Sequence, residues 1–283
     1  HLKKLLFVLF FFVIFQINSY ASDLQVIVLD VGMGQSVLLV EDGHGLLVDT
    51  GLARYSPHVL SRMKYYGVES LDYLILSHLH PDHAGGYFQL RAAWSDIPVF
   101  DSCSVPQELH PSEQDAFFKL QGALKKDPLR SCLKAGDDLH WQGHNLQVLW
   151  PTSEPGANLN RDSLVLLVTT KQGGTQLIMG DVDKSVERSI QAELEVSMRQ
   201  HGVDLFVVGH HAAVDSTDPG FLKMLHPQVS IVSVGKDNPY GYPSKESMAV
   251  LAKYSEMVLR TDLNGEICFK LTSEKVVPCT ILY

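Results

Sequence analysis

The chain has no Cys-x-x-Cys pair, no Gly-x-Ser-x-Gly turn and no basic stripe, and each absence removes a class of function. Its four cysteines, Cys103, Cys132, Cys268 and Cys279, lack the paired spacing of a structural zinc knuckle. Without the Gly-x-Ser-x-Gly elbow, no serine is marked as a nucleophile on a strand-to-helix turn. Lys and Arg total 23 against 32 Asp and Glu, a formal net charge of −9, so a stable complex with nucleic acid over many phosphates is not expected. Low-complexity segments and obvious linkers are also missing. The apolar run from Leu5 to Phe15 is shorter than the roughly 20 residues a bilayer span needs.

That run follows Lys3 and Lys4 and precedes the small residues Ser19 and Ala21, an arrangement that reads as a cleaved secretory signal over 1–21. The remaining 22–283 is expected to form one domain that is exported, periplasmic or secreted, touching the membrane only through the signal. Export gives the even cysteine count a meaning. Cys268 and Cys279 flank an expected terminal hairpin, Phe269–Thr272 and Lys275–Val277, and Cys103 and Cys132 bound an inserted segment. Both pairs can therefore close bridges; four unpaired core cysteines are the alternative.

With 45% hydrophobic and 19% charged residues the composition is that of a globular protein. Buried strands are expected at Leu24–Asp30, Ser36–Val40, Gly45–Asp49 and Tyr73–Leu76, with a helix from Ser56-Pro57 to about Tyr66 whose N-cap is Ser56. Ser104–Lys134 is polar and helix-prone and reads as a covering insertion. The second half carries strand runs at Leu146–Leu149, Leu164–Thr169, Gln176–Met179, Leu205–Val208 and Val229–Val234, helices at Lys184–Gln200 and Ser244–Tyr254, and a last pair of strands. Two sheet-plus-helix halves suggest an α/β fold, a four-layer αββα sandwich.

The chemistry concentrates at His78-Leu79-His80-Pro81-Asp82-His83, directly after a buried strand. Three imidazoles and a carboxylate on one turn suit Zn²⁺, or Mn²⁺ or Fe where oxygen donors dominate. His78 and His80 alternate and can face one metal while Asp82 and His83 serve another. Asp181 in Met179-Gly180-Asp181 and the pair His210-His211 each end a further apolar run, where they can complete such a site. His44, His58, His110, His140, His144, His201 and His226 are most simply surface or loop residues, and Trp94, Trp141 and Trp150 packing residues.

The ordered set Asp49-Thr50-Gly51, His78-x-His80-x-Asp82-His83, Gly180-Asp181 and Gly209-His210-His211 resembles the metallo-β-lactamase superfamily. Asp30–Ser36, Asn160–Leu166, Asn238–Pro243 and Arg260–Gly265 resemble one branch of it, the hydrolase domain of the DNA-uptake protein ComEC and its free-standing relatives. The resemblance implies a single-domain metallo-β-lactamase sandwich with His78 and His80 on one metal, Asp82 and His83 on a second, and Asp181 between them. It implies that one of His210 and His211 completes the second site and the other touches substrate, without choosing between them. Asp49 would orient the cluster from behind. Asn160 or Asp162 stands where true β-lactamases carry a further histidine. Three positions depart from the branch. Met33-Gly34-Gln35 replaces Gln-Gly-Asp, Ala212-Ala213 follow the His pair in place of Gly-Ser, and Tyr242 stands for a histidine.

Two cations about 3.5–4 Å apart can share a hydroxide and make it a nucleophile near neutral pH. The expected activity is hydrolysis of a phosphate ester, above all a phosphodiester of single-stranded nucleic acid or of the cell envelope, with Asp82, His210 and His211 as catalytic groups. A carbonyl ester, lactone or β-lactam is the alternative substrate. A metal-loaded binding protein without turnover is the alternative class.

Overall fold

The computed structural model describes residues 23–152, 158–198, 202–272 and 276–279. The expected signal over 1–21 lies outside them. So do Lys275 of the expected hairpin and Gln200 of the expected helix end.

Among the described residues fifteen strands form two sheets. In chain order they are β1 (Leu24–Val28), β2 (Val37–Glu41), β3 (His44–Val48), β4 (Ser70–Ile75), β5 (Val99–Asp101), β6 (Arg130–Cys132), β7 (Asp138–Trp141) and β8 (His144–Trp150). There follow β9 (Val165–Thr169), β10 (Thr175–Ile178), β11 (Leu205–Val207), β12 (Val229–Val232), β13 (Met257–Arg260), β14 (Ile267–Leu271) and β15 (Val276–Pro278). The first sheet runs β15-β14-β1-β2-β3-β4-β5-β6 and the second β13-β12-β11-β10-β9-β8-β7. In each sheet, antiparallel pairing gives way to parallel pairing at one strand, β3 in the first and β10 in the second.

The α-helices among the described residues are α1 (Ser56–Tyr65), α2 (Pro81–Ala84), α3 (Tyr87–Ala93), α4 (Gln114–Leu124), α5 (Lys184–Ser197), α6 (Pro219–Leu225), α7 (Lys245–Tyr254) and α8 (Thr261–Asn264). Alternation along the strands decides the layers. Leu24, Val26 and Val28 of β1 face the other sheet and meet Leu146, Leu166 and Ile178 in a shared core. Ile27 and Leu29 point the other way, into a core closed by Val59 and Met63 of α1, Leu90 of α3 and Phe117, Leu120 and Leu124 of α4. Leu167, Leu177 and Phe206 turn outward from the second sheet onto Val186 and Ile190 of α5, Phe221 of α6 and Leu251 of α7. The result is the expected αββα sandwich. Strands covered on both faces read as unbroken apolar runs, which is why their positions were visible in the sequence.

Helix starts follow capping chemistry. Asp183 accepts from the N–H groups of Ser185 and Val186, Asp218 from Gly220 and Phe221, and Ser244 from Ser247, each such cap contributing about 1 kcal/mol. Ser56 does not cap α1, contrary to expectation. Tyr55 holds that position without a side-chain bond, and Ser56 is the first helical residue, buried behind Gly86. The insertion also does more than cover, because β6 pairs with β5 and Cys103–Cys132 ties the two strands together. Cys268–Cys279 bridges the terminal hairpin. The halves are not closed units, since β14 and β15 return to the first sheet beside β1.

Candidate metal centre

The strand ends that open into chemistry all lie at one end of the sandwich. β3 delivers Asp49, β4 delivers Ser77 to His83, β10 delivers Asp181, and β11 delivers His210 and His211. Backbone conformations that ordinary side chains rarely adopt aim these groups. Gly180 has φ +56°, and a Cβ there would lie 2.8 Å from the side chain of Ser163. His210, His211 and Ala212 have φ 49°, 51° and 58°, three successive left-handed residues, each costing of order 1–3 kcal/mol unless the surroundings hold it. Ala212, where the family pattern has glycine, carries this strain with a Cβ.

Two donor groups converge. His78, His80 and Asp181 form one, and Asp82, His83, Asp181 and His211 the other, with each group's donor atoms within 4.8 Å of one another. Asp181 belongs to both. Its Oδ1 lies 3.1 Å from His83 Nε2 and 3.7 Å from His211 Nε2, and its Oδ2 lies 3.9 Å from His78 Nε2. His211 Nε2 is also 3.4 Å from Asp82 Oδ2, and His78 Nε2 is 2.9 Å from His80 Nδ1. The pair is thereby separated: His211 is buried among the donors, its Nδ1 2.7 Å from the carbonyl oxygen of Ser233. His210 belongs to neither group, with Nδ1 2.9 Å from Asp215 Oδ1 and Nε2 3.2 Å from Asn160 Nδ2.

Behind the donors, Asp49 is fully buried. It accepts from the N–H and hydroxyl of Ser77 at 2.7 Å each and from Gln35 Nε2 at 2.9 Å, and its Oδ2 lies 2.8 Å from His83 Nδ1. This fixes His83 with Nε2 toward the other donors, the usual support for a metal-binding imidazole. Gln35 departs from the family pattern yet works here as a donor to Asp49.

Electrostatics sort the protons. Burial, then the charges of His83 and His80, hold His78 well below the ordinary imidazole range. Burial opposes charge on His83 too, but the carboxylates of Asp181 and Asp49 outweigh it and raise its pKa well above that range. Asp181 is held low despite burial, chiefly by His83 and His211. For His210, burial is outweighed by the bond to Asp215 and the charge of Asp181, and its pKa rises.

The donors floor a cavity of ≈ 320 Å³ lined also by Met33, Asn160, Ser112, Glu113, Tyr240 and Tyr242. Several of these groups carried no signal. Glu113, 3.4 Å from His80 Nε2, comes from the insertion, and Asp215 is one polar loop residue among many. Tyr242 packs with its ring 6.5 Å from that of His211 at an interplanar angle of 22°. Asn160, not Asp162, reaches His210, whereas Asp162 is buried.

Residues 29–100 match the family model of the metallo-β-lactamase superfamily. Solved structures agree on the fold. The metallo-β-lactamase fold protein YhfI of Bacillus subtilis superposes with TM-score 0.55 at 17% identity, covering 84% of this chain and 96% of that one. Igni18, a metallo hydrolase of Ignicoccus hospitalis, gives 0.53 at 14% identity, covering 88% and 100%. The matched segment and the fold relate the chain to the metallo-β-lactamase superfamily.

Within it, the chain is a relative of the ComEC-type competence proteins. It is 30% identical over 248 residues to Recombination protein 2 of Haemophilus influenzae, covering 86% of this chain and 28% of that protein. It is 27% identical over 281 residues to ComE operon protein 3 of Bacillus subtilis, covering 92% and 34%. With Competence protein ComA of Neisseria gonorrhoeae the identity is 29% over 251 residues, covering 88% and 33%. The chain thus spans about a third of the length of these relatives.

Proposed function

We propose that the chain hydrolyses phosphodiesters with two divalent cations, zinc first among the candidates and Mn²⁺ or Fe the alternatives. His78, His80 and Asp181 would hold one cation, and Asp82, His83, Asp181 and His211 the other. The single observation that carries this reading is that one carboxylate, Asp181, serves both donor groups. The donor chemistry fits cations: the buried Asp181 carboxylate faces the imidazoles of His78, His83 and His211, and among the described residues neither Lys nor Arg lines the cavity. Imidazole and carboxylate donors at this spacing suit zinc. When bound, the pair supplies Lewis acidity toward a phosphoryl oxygen and lowers the pKa of water.

The chain's own residues do the rest. Asp49 and Ser77 keep His83 in one tautomer and orientation. His210, outside both donor groups, is braced by Asp215 and faces the cavity, where a charged ring donates from Nε2 to the oxygen that gains charge. Asp82 keeps an exposed edge toward the cavity and accepts the proton lost by the attacking water.

The names of the relatives, recombination and competence proteins, support a nucleic-acid phosphodiester over an ester, lactone or β-lactam. Glu113 on the cavity wall, with Glu108 beside it, disfavours a polyanion running through the cleft and favours a short or terminal segment. The two disulfides fit an oxidising compartment, so the protein acts outside the cytoplasm. Among the described residues no helix is long and apolar enough to cross a membrane.

The test pairs metal analysis with turnover of bis-p-nitrophenyl phosphate and of a β-lactam, for the native sequence and Asp181→Ala. About two metals per chain and phosphodiester cleavage lost in the variant are expected. Cleavage of the β-lactam alone overturns the substrate, and no stoichiometric metal overturns the reading.

A further inference from the structure

We propose that Tyr240 is a stacking platform for a nucleobase, so that the scissile phosphodiester reaches the donor cluster with its base on this ring. The inference rests on the phosphodiester reading above and names its substrate class.

Tyr240 is 64% exposed, which alone is unremarkable for a tyrosine. Its mounting is what matters. The side chain of Asn238 accepts from the N–H groups of Tyr240 and Tyr242 at 3.2 and 3.0 Å, and donates to the carbonyl oxygens of Gly235 and Tyr242 at 2.9 and 2.7 Å. One amide thus pins the whole turn. The Tyr240 ring lies 5.6 Å from that of Tyr242 at 22°, and Tyr242 lies at the same angle to His211. Successive rings, each tilted 22° from the next, lead from the surface to the donors, and the cavity wall includes all three.

A planar ring with one face covered and an exposed remainder, held in place before any ligand arrives, takes a base at small ordering cost. Stacking needs no cation, and the cavity lining offers neither Lys nor Arg. Sequence-tolerant affinity for single strands can therefore come from the ring while the phosphate is left to the metal centre. Apart from Tyr240, Tyr242 and the histidines, the described lining carries no aromatic ring, and Ser112 and Glu113 add only polar groups. The base is consequently placed on the Tyr240 side.

Two readouts test this on the zinc-loaded full chain. The first is kcat/KM for the p-nitrophenyl ester of thymidine 5′-monophosphate relative to methyl p-nitrophenyl phosphate, which share a leaving group. The native protein should prefer the thymidine ester, and Tyr240→Ala should cut that ratio about tenfold, mainly through KM, while Tyr240→Trp retains it. An unchanged ratio in Tyr240→Ala, or equal loss on both esters, overturns the platform. The second readout is binding of a fluorescent oligothymidylate against an abasic strand of equal length. Binding about tenfold tighter to the base-bearing strand, abolished in Tyr240→Ala, supports the platform even if neither ester is cleaved, in which case only the hydrolase reading falls. Equal binding of the two strands overturns the platform, whatever the ester rates.

Discussion

Both ends of the sandwich carry buried acidic and imidazole groups, but they balance charge in different ways. At the end away from the donor cluster, Lys171 Nζ donates to Glu41 Oε2 at 2.7 Å and His144 Nε2 lies 3.2 Å from the same oxygen, joining the two sheets. Beside them Asp72 accepts from Ser70, Trp141 and Gln142 and meets His44 Nδ1 at 2.8 Å. His144 was expected at the surface; it is fully buried, because Glu41 gives its ring nitrogen a partner. The chain supplies its own cation there. At the opposite end no Lys or Arg lines the cavity, and carboxylates face imidazoles whose lone pairs converge. Here the buried acids are balanced only by imidazoles, which can exchange their protons for a metal ion, whereas a lysine cannot.

The sharpest way to break that comparison is to exchange the aspartates that organise each end. Asp49→Ala should destabilise by about 3–5 kcal/mol, since it strands buried donors, and should weaken metal binding about 10–100-fold. Thermal unfolding with and without metal, together with metal titration, measures both. Asp72→Ala should cost about 1–3 kcal/mol in denaturant unfolding with metal content unchanged. Metal loss in that variant would mean that the two ends are coupled, and the contrast would fail. Lys171→Met should cost less, about 1–2 kcal/mol, because His144 still faces Glu41. Chelation should lower the melting temperature of this variant as much as that of the native chain.

Glu187 sharpens the contrast as a buried carboxylate of another kind, with neither metal donors nor a lysine bonded to it. Its oxygens accept only the N–H groups of Thr217 and Asp218, at 2.8 and 2.5 Å. Burial pushes its pKa from 4.5 up to about 7, against the opposing effect of those two bonds. The folded state therefore binds the extra proton between these values. Stability from this group is fully present below about 4.5 and is lost as pH rises through about 7. The stability of the native chain relative to Glu187→Gln should decline from pH 5 to pH 8 by about 2–3 kcal/mol. A rise over that range would show that the two N–H donors outweigh burial.

What could be read in advance follows physical locality. His78 to His83 sit on one turn, and Asp181 and His210-His211 each end an apolar run, so spacing exposed them. The division of labour within the His pair was not legible, since it depends on three left-handed residues that no side-chain pattern announces. The layers were legible because their strands are buried on both faces. β7 and β13 were not, being four-residue edge strands without a run of buried positions. Glu41, His144 and Lys171 are scattered along the chain, and only the packing of one sheet on the other makes them a unit.

One pairing has a temporal side. β1 lies between β2, its neighbour in sequence, and β14, where Leu24 meets Leu271. As the chain is made from its N-terminus, β1 can join β2 early but keeps an open edge until the last strands emerge. A contact of such sequence separation forms late and slowly, and an unpaired apolar edge invites another chain in the meantime. The shared core therefore cannot close around the donor strands until β14 has been made. Early segments are better kept extended than allowed to collapse.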